Sequence, residues 1–141
     1  MTKPTIPFAN LKTQYKEYKA DIDTAMQQVI DAGQFIMGPQ VKTLEDELAK
    51  FVGGNTHAIA CASGTDALML ALLAIDIQPG DEVITTPFTF IATAEVIQLL
   101  QAKPIFVDIE PGTLNIDVTK IEEKITSKTK AIIPVSLYGQ P

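Results

Sequence analysis

The residues best suited to chemistry lie in Ser63-Gly64-Thr65-Asp66, where small polar side chains stand between an apolar run and the helix-forming stretch Ala67-Leu68-Met69-Leu70-Ala71-Leu72-Leu73. Such a turn offers several free backbone N–H groups at a helix N-terminus, where aligned peptide dipoles favour negative charge and a phosphate group fits. The same letters also spell a capping box, Ser63 followed three residues later by Asp66, in which side chains satisfy those N–H groups instead. Capping boxes are the commoner of the two, and these four residues alone leave both readings open.

A second turn, Thr86-Pro87-Phe88-Thr89-Phe90, carries two aromatic rings. A phosphate-only site needs no ring, so a flat group that stacks on one is a natural explanation; the alternative is that Phe88 or Phe90 plugs the end of a sheet. Neither G-x-G-x-x-G nor G-x-x-x-x-G-K-[ST] occurs, which argues against dinucleotide and P-loop folds. Cys61 is the sole cysteine, so a disulfide framework and a thiolate metal cluster are both excluded, and a small buried residue on a strand is the expected role. His57, also alone, reads as structural, and no metal site is expected.

These turns need elements to hold them. Leu11, Tyr15, Tyr18, Ile22, Met26, Val29 and Ile30 recur at helical spacing and predict one long amphipathic helix with a buried stripe, stopped by a left-handed cap at Gly33. The loop Gln34-Phe35-Ile36-Met37-Gly38 is unusually apolar and calls for cover by a partner or ligand. Pro39 suits the first turn of a second helix with Val41, Leu44, Leu48 and Phe51 as its inner face, ended by Gly53-Gly54-Asn55. From there the pattern alternates. Strands are expected at residues 58–62, 82–86, 105–109 and 131–135, and helices at 67–77, 91–100 and 118–125. Strands this continuously apolar belong to an α/β fold, a mostly parallel sheet flanked by helices. Ligands of such sheets sit beyond the carboxyl ends of the strands, here 63–66, 87–90, 108–112 and 136–139.

Composition bounds the partners. With 141 residues, 46% of them hydrophobic, the chain has the size of one domain. A net charge of −6 argues against nucleic acid. All its basic side chains are lysines, so without arginine forks an anionic ligand must rely on backbone N–H groups, hydroxyls or residues outside this chain. The apolar run 67–74 is too short to span a bilayer and Met1-Thr2-Lys3-Pro4 lacks a signal-peptide core, so no membrane association and a cytoplasmic location are expected.

Six stretches in order carry a resemblance: Ile6-Pro7-Phe8-Ala9-Asn10-Leu11-Lys12, Gly33-Gln34-Phe35-Ile36-Met37-Gly38-Pro39, Ser63-Gly64-Thr65-Asp66-Ala67-Leu68, Gly80-Asp81-Glu82-Val83-Ile84, Thr89-Phe90-Ile91-Ala92-Thr93, and Ala131-Ile132-Ile133-Pro134-Val135-Ser136-Leu137-Tyr138-Gly139-Gln140. Together they resemble the DegT/DnrJ/StrS nucleotide-sugar aminotransferases, pyridoxal-phosphate enzymes of the type I (aspartate aminotransferase) fold. Many relatives have His where this chain has Ser136, and Pro-Val-Ser-Leu-Tyr-Gly-Gln is similar to the branch that aminates UDP-linked 3-keto-hexuronates for surface polysaccharides. The resemblance implies that Gly64 and Thr65 hold the cofactor phosphate, Phe90 stacks on the pyridine ring, and Phe35, Met37 and Gly38 border the substrate cleft. Phosphate cup and cap then coexist, with Ser63 and Asp66 shaping the helix start. The implied reaction is ping-pong: glutamate aminates the cofactor, which then aminates the keto sugar, in a cytoplasmic homodimer with active sites built between subunits.

The resemblance also implies residues that this stretch does not hold. The family's Asp at the pyridine nitrogen, its nearby Gln and the Schiff-base lysine of a Ser-x-x-x-x-Lys segment all fall beyond Pro141, so no catalytic residue is assigned within residues 1–141. The expected organisation is an incomplete cofactor-binding large domain, with N-terminal helices at 1–55 and the start of the sheet at 56–141. Alone, this stretch is expected to be inert as a transaminase. A non-catalytic α/β ligand-binding or dimerisation module is the alternative from a different class.

Overall fold

The computed structural model describes residues 6–141; Met1-Thr2-Lys3-Pro4 lies outside the described residues. The chain divides into two compact units, Met1–Ala60 and Cys61–Pro141.

The first unit is helical. Helix α1, Leu11–Glu17, starts where the Asn10 side chain accepts a hydrogen bond from the Thr13 N–H at 3.2 Å. Helix α2, Lys19–Ala32, ends on Gly33 at φ 63°, the left-handed cap the sequence predicts. A single helix is expected across both, but Tyr18 departs from helical geometry at φ −100°, ψ 13°. The break is one residue wide, since Tyr18 N–H still donates to the Gln14 carbonyl and Ile22 N–H to that of Tyr18. A side-chain cluster straddles it: the Tyr15 hydroxyl donates to Asp23 Oδ1 at 2.7 Å, and Lys19 pairs with Asp23 beneath the Tyr15 ring. This two-turn reach draws the segments together on that face, a local cause for the bend in the absence of Pro or Gly.

The stripe on α1 and α2 is not buried, because among the described residues no element of this unit covers it. Helix α3, Pro39–Val52, begins with proline at its first position as expected. Its partly covered face is Val41, Glu45 and Ala49; of the predicted face only Val41 is on it, and Leu44, Leu48 and Phe51 stay exposed. The following extended segment lies along that face. Ala60 N–H donates to Glu45 Oε1 at 2.8 Å, and the Thr56 hydroxyl donates to the Ala49 carbonyl at 3.2 Å.

The strand expected at residues 58–62 does not form. Apolar content suits these residues to a ladder, yet no strand pairs with them among the described residues, and Ile59 is 79% exposed. Cys61, expected buried on that strand, is exposed, its thiol donating to the Ser63 carbonyl.

The second unit is an α/β layer with three parallel strands. Helix α4, Gly64–Ala74, precedes strand β1, Glu82–Thr85; helix α5, Ala92–Leu99, leads to β2, Lys103–Phe106; two short 3-10 turns, Val118–Lys120 and Glu122–Lys124, lead to β3, Thr129–Ile133. The order is β2-β1-β3, with Ile84 of β1 opposite Ile105 on one side and Ile132 on the other. Alternation along β1 builds the core. Val83 packs with Leu72, Ile77, Val96 and Ile97 beneath α4 and α5, whereas Ile84 turns to the opposite face with Val107 and Ile116. Residues 83 to 85 have no exposed surface, as a central parallel strand requires.

The helix expected at 118–125 is replaced by the two 3-10 turns. Asp117 caps the first through the Thr119 N–H and hydroxyl and an ion pair with Lys120 at 2.8 Å, and the β-branched Val118, Thr119, Ile121 and Ile125 favour helix weakly. Backbone at Ile125 is already extended, and the Thr126 hydroxyl donates to Glu82 Oε2 at 2.7 Å, tying this segment to the entry of β1. The second strand ends three residues earlier than expected. Ile109 instead forms an isolated antiparallel bridge with Ile116, closing a hairpin-like excursion.

Candidate functional site

Ser63 is the N-cap of α4: its backbone is extended, and its hydroxyl accepts from the Asp66 N–H at 3.1 Å. The Ala67 N–H donates to the Ser63 carbonyl. Capping therefore consumes the third and fourth donors of the helix and leaves the first two. The N–H groups of Gly64 and Thr65 have no acceptor among the described residues. No side chain intrudes there either, for a Cβ built on Gly64 would meet nothing within 4 Å. Two unpaired N–H groups at the positive end of an 11-residue helix, with a hydroxyl-bearing residue at Thr65, are donors of the kind that bind a phosphate monoester. The two readings of this turn are thus compatible at the level of hydrogen bonds.

The second turn leaves β1 at Thr86. Thr85 and Thr86 are buried, the Thr85 hydroxyl donating to the Ile133 carbonyl at 3.0 Å and the Thr86 hydroxyl accepting from Phe88 N–H at 3.2 Å. Phe90 is 71% exposed, so it plugs nothing and its ring is open to a flat group. Phe88, at 41%, is half-covered. Sequence reasoning passed over Thr86 and Thr93, which hold this turn; the repeated threonines of Thr85-Thr86-Pro87-Phe88-Thr89-Phe90 were the available signal.

The remaining expected turns follow β2 and β3. They border a cleft of about 390 Å³ lined by Asn115, Ile116, Asp117, Pro134, Val135 and Ser136, among others. Its acids are engaged within their own loops. Glu110 is held below the usual carboxylate range by the Thr113 hydroxyl and the Gly112 and Thr113 N–H groups, and Asp117 by Lys120 and Thr119. Three of the four expected turns thus follow strands. The 63–66 turn follows an unpaired extended segment instead.

Phe35, Met37 and Gly38 belong to the first unit. Their loop carries two backbone constraints. Met37 adopts φ 49°, and a Cβ on Gly38 would lie 2.5 Å from the Gln34 carbonyl oxygen, so only glycine fits there. Phe35, Ile36 and Met37 project as exposed apolar side chains. Among the described residues no cluster of His, Cys, Asp and Glu could hold a metal, and no helix is long and apolar enough to cross a membrane.

Residues 16–141 match the DegT/DnrJ/EryC1/StrS aminotransferase family. The chain belongs to this family. It is 54% identical over 135 residues to the UDP-2-acetamido-2-deoxy-3-oxo-D-glucuronate aminotransferase of Pseudomonas aeruginosa, covering 96% of this chain and 37% of that protein. It is 47% identical to the UDP-N-acetyl-3-dehydro-alpha-D-glucosamine 3-aminotransferase of Acidithiobacillus ferrooxidans, covering 100% of this chain and 38% of that protein. The crystal structure of NtdA from Bacillus subtilis with bound cofactor PMP superposes with a TM-score of 0.92 at 38% identity, covering 100% of this chain and 32% of that one. The chain therefore spans 37% and 38% of the length of these curated DegT/DnrJ/EryC1/StrS relatives.

Proposed function

We propose that residues 1–141 are the incomplete cofactor-binding large domain of a pyridoxal-phosphate aminotransferase, which in full length moves an amino group from glutamate to a keto nucleotide sugar for surface polysaccharide biosynthesis. A UDP-linked 3-keto-hexuronate is the favoured acceptor, on the strength of the 54% identical relative and of Ser136 in Pro-Val-Ser-Leu-Tyr-Gly. Pyridoxal 5′-phosphate, when bound, supplies the electron sink and amino carrier for the transfer. The observation that carries the reading is the pair of unpaired N–H groups at Gly64 and Thr65 on a properly capped helix.

In this reading Gly64 and Thr65 grip the cofactor phosphate through backbone N–H groups and the Thr65 hydroxyl, with Ser63 keeping the donors aimed by fixing the helix start. Phe90 offers its exposed ring face to the pyridine. Phe35, Met37 and Gly38 border the sugar cleft, where the constrained loop presents apolar side chains at fixed positions. The working form is a cytoplasmic homodimer, because the exposed Phe35, Ile36 and Met37 need cover. The deciding experiment incubates the full-length protein with glutamate, pyridoxal phosphate and UDP-2-acetamido-2-deoxy-3-oxo-glucuronate, and follows the amino sugar by mass spectrometry. Glutamate-dependent product is expected; cofactor binding without amination of any nucleotide keto sugar would overturn the substrate class.

A further inference from the structure

The Phe90 ring is 71% exposed and belongs to neither core cluster, so the path of the backbone that carries it largely decides where it is presented. Upstream, Thr86 directly follows the buried strand β1 with 1% of its surface exposed, yet it carries a hydroxyl where valine would fill the same volume. A buried hydroxyl costs free energy unless it is hydrogen-bonded, and its partner here is the Phe88 N–H at 3.2 Å. Between them stands Pro87, whose ring fixes φ, so the hydrogen bond across it locks the direction in which the chain leaves the sheet. Downstream, the Phe90 carbonyl accepts from the Thr93 N–H at 3.3 Å, and the hydroxyls of Thr89 and buried Thr93 lie 3.5 Å apart.

We infer that Thr86 is a positioning residue for the ring-stacking site, its hydroxyl holding the Phe88 N–H so that Phe90 is presented at a fixed height and tilt, with Thr93 securing the far end of the same turn. An exposed ring on a backbone held at both ends is preorganised: little freedom is lost when a planar ligand lies on it. The inference rests on the reading that Phe90 stacks on the cofactor ring, and its test separates the two.

In the full-length protein, cofactor dissociation constants and the visible circular dichroism of the bound cofactor are measured for Thr86→Val, Thr86→Ser, Phe90→Ala and the Thr86→Val/Phe90→Ala double variant. Thr86→Val should weaken cofactor binding by up to about 10-fold, the size of a lost aromatic stack, and alter the dichroism band that reports ring tilt. Thr86→Ser, which restores the acceptor, should recover both. In the double variant Thr86→Val should add nothing to Phe90→Ala, because the hydroxyl acts through that ring. A Thr86→Val protein with wild-type affinity and dichroism, or additive losses in the double variant, overturns the positioning role while leaving the stacking site standing. If Phe90→Ala itself changes neither observable, the stacking site fails and the inference with it.

Discussion

At the scale of single residues, the turn into α4 divides its donors between two tasks. Ser63 takes the Asp66 N–H, so Ser63→Ala should lower the unfolding free energy by about 1 kcal/mol in denaturant titrations of the full-length protein, as loss of a cap does. Thr65→Asp should abolish cofactor retention in the full-length protein, since a carboxylate would then stand in the phosphate cradle. Phe90→Ala should weaken retention by only about 1 kcal/mol beyond the lost contact area. Equilibrium dialysis against pyridoxal phosphate ranks the two, and equal retention by both variants and wild type would show that the cradle is elsewhere. Two carboxyls near the 390 Å³ cleft give a pH signature. Glu110 and Asp117 are held below their ordinary values in the folded chain, so their contribution is present above the unfolded carboxylate pKa and is lost as pH falls through the depressed folded values. Melting temperature should therefore begin to fall below about pH 4, and Thr113→Val, which removes the chief partner of Glu110, should flatten that fall.

At the scale of elements, what the sequence declared well were the features decided by neighbours in the chain. Gly33 at the end of α2, Pro39 at the head of α3 and Ser63 at the head of α4 all sit where local chemistry puts them. What it declared poorly depends on distant partners. Among the described residues, 58–62 have the composition of a strand but no strand to pair with, and the stripe of α1 and α2 has the period of a buried face but nothing of its unit to lie under. The bend at Tyr18 comes from Tyr15, Lys19 and Asp23, polar contacts that a hydrophobic period does not register. The role of Thr86 is hidden from the sequence for a similar reason, since its hydroxyl is buried only by the folding of distant residues around β1. The loop 33–38 yields a prediction of its own. Gly38→Ala would set a Cβ against the Gln34 carbonyl oxygen, so the loop must reshape and the KM for the sugar should rise while cofactor affinity stays unchanged. Steady-state kinetics with direct cofactor titration check this; an unchanged KM would remove the loop from the substrate cleft.

At the scale of the whole molecule, many large apolar side chains are exposed among the described residues. Leu44, Phe51, Ile59, Phe106 and Ile132 remain uncovered, and the outer edges of β2 and β3 are unpaired among the described residues. Expressed alone, residues 1–141 should aggregate and show no transamination, checked by light scattering and by a glutamate-dependent assay; a soluble, active fragment would refute this. In sedimentation the full-length protein should run as a dimer, and a fully active monomer would remove the argument from the exposed loop. The order β2-β1-β3 has a further consequence for how the molecule is made. Its middle strand leaves the ribosome first, with α4 already synthesised, and β2 and then β3 are added to opposite flanks. Among these three strands none must be inserted between two already paired, so each parallel pairing can form as its residues emerge and the slow step of non-local closure is divided along synthesis. A nascent chain stalled once Phe106 has cleared the ribosome would hold a two-stranded intermediate whose free β1 edge waits for β3, and the interval before residues 129–133 emerge is when that edge is open to the wrong partner.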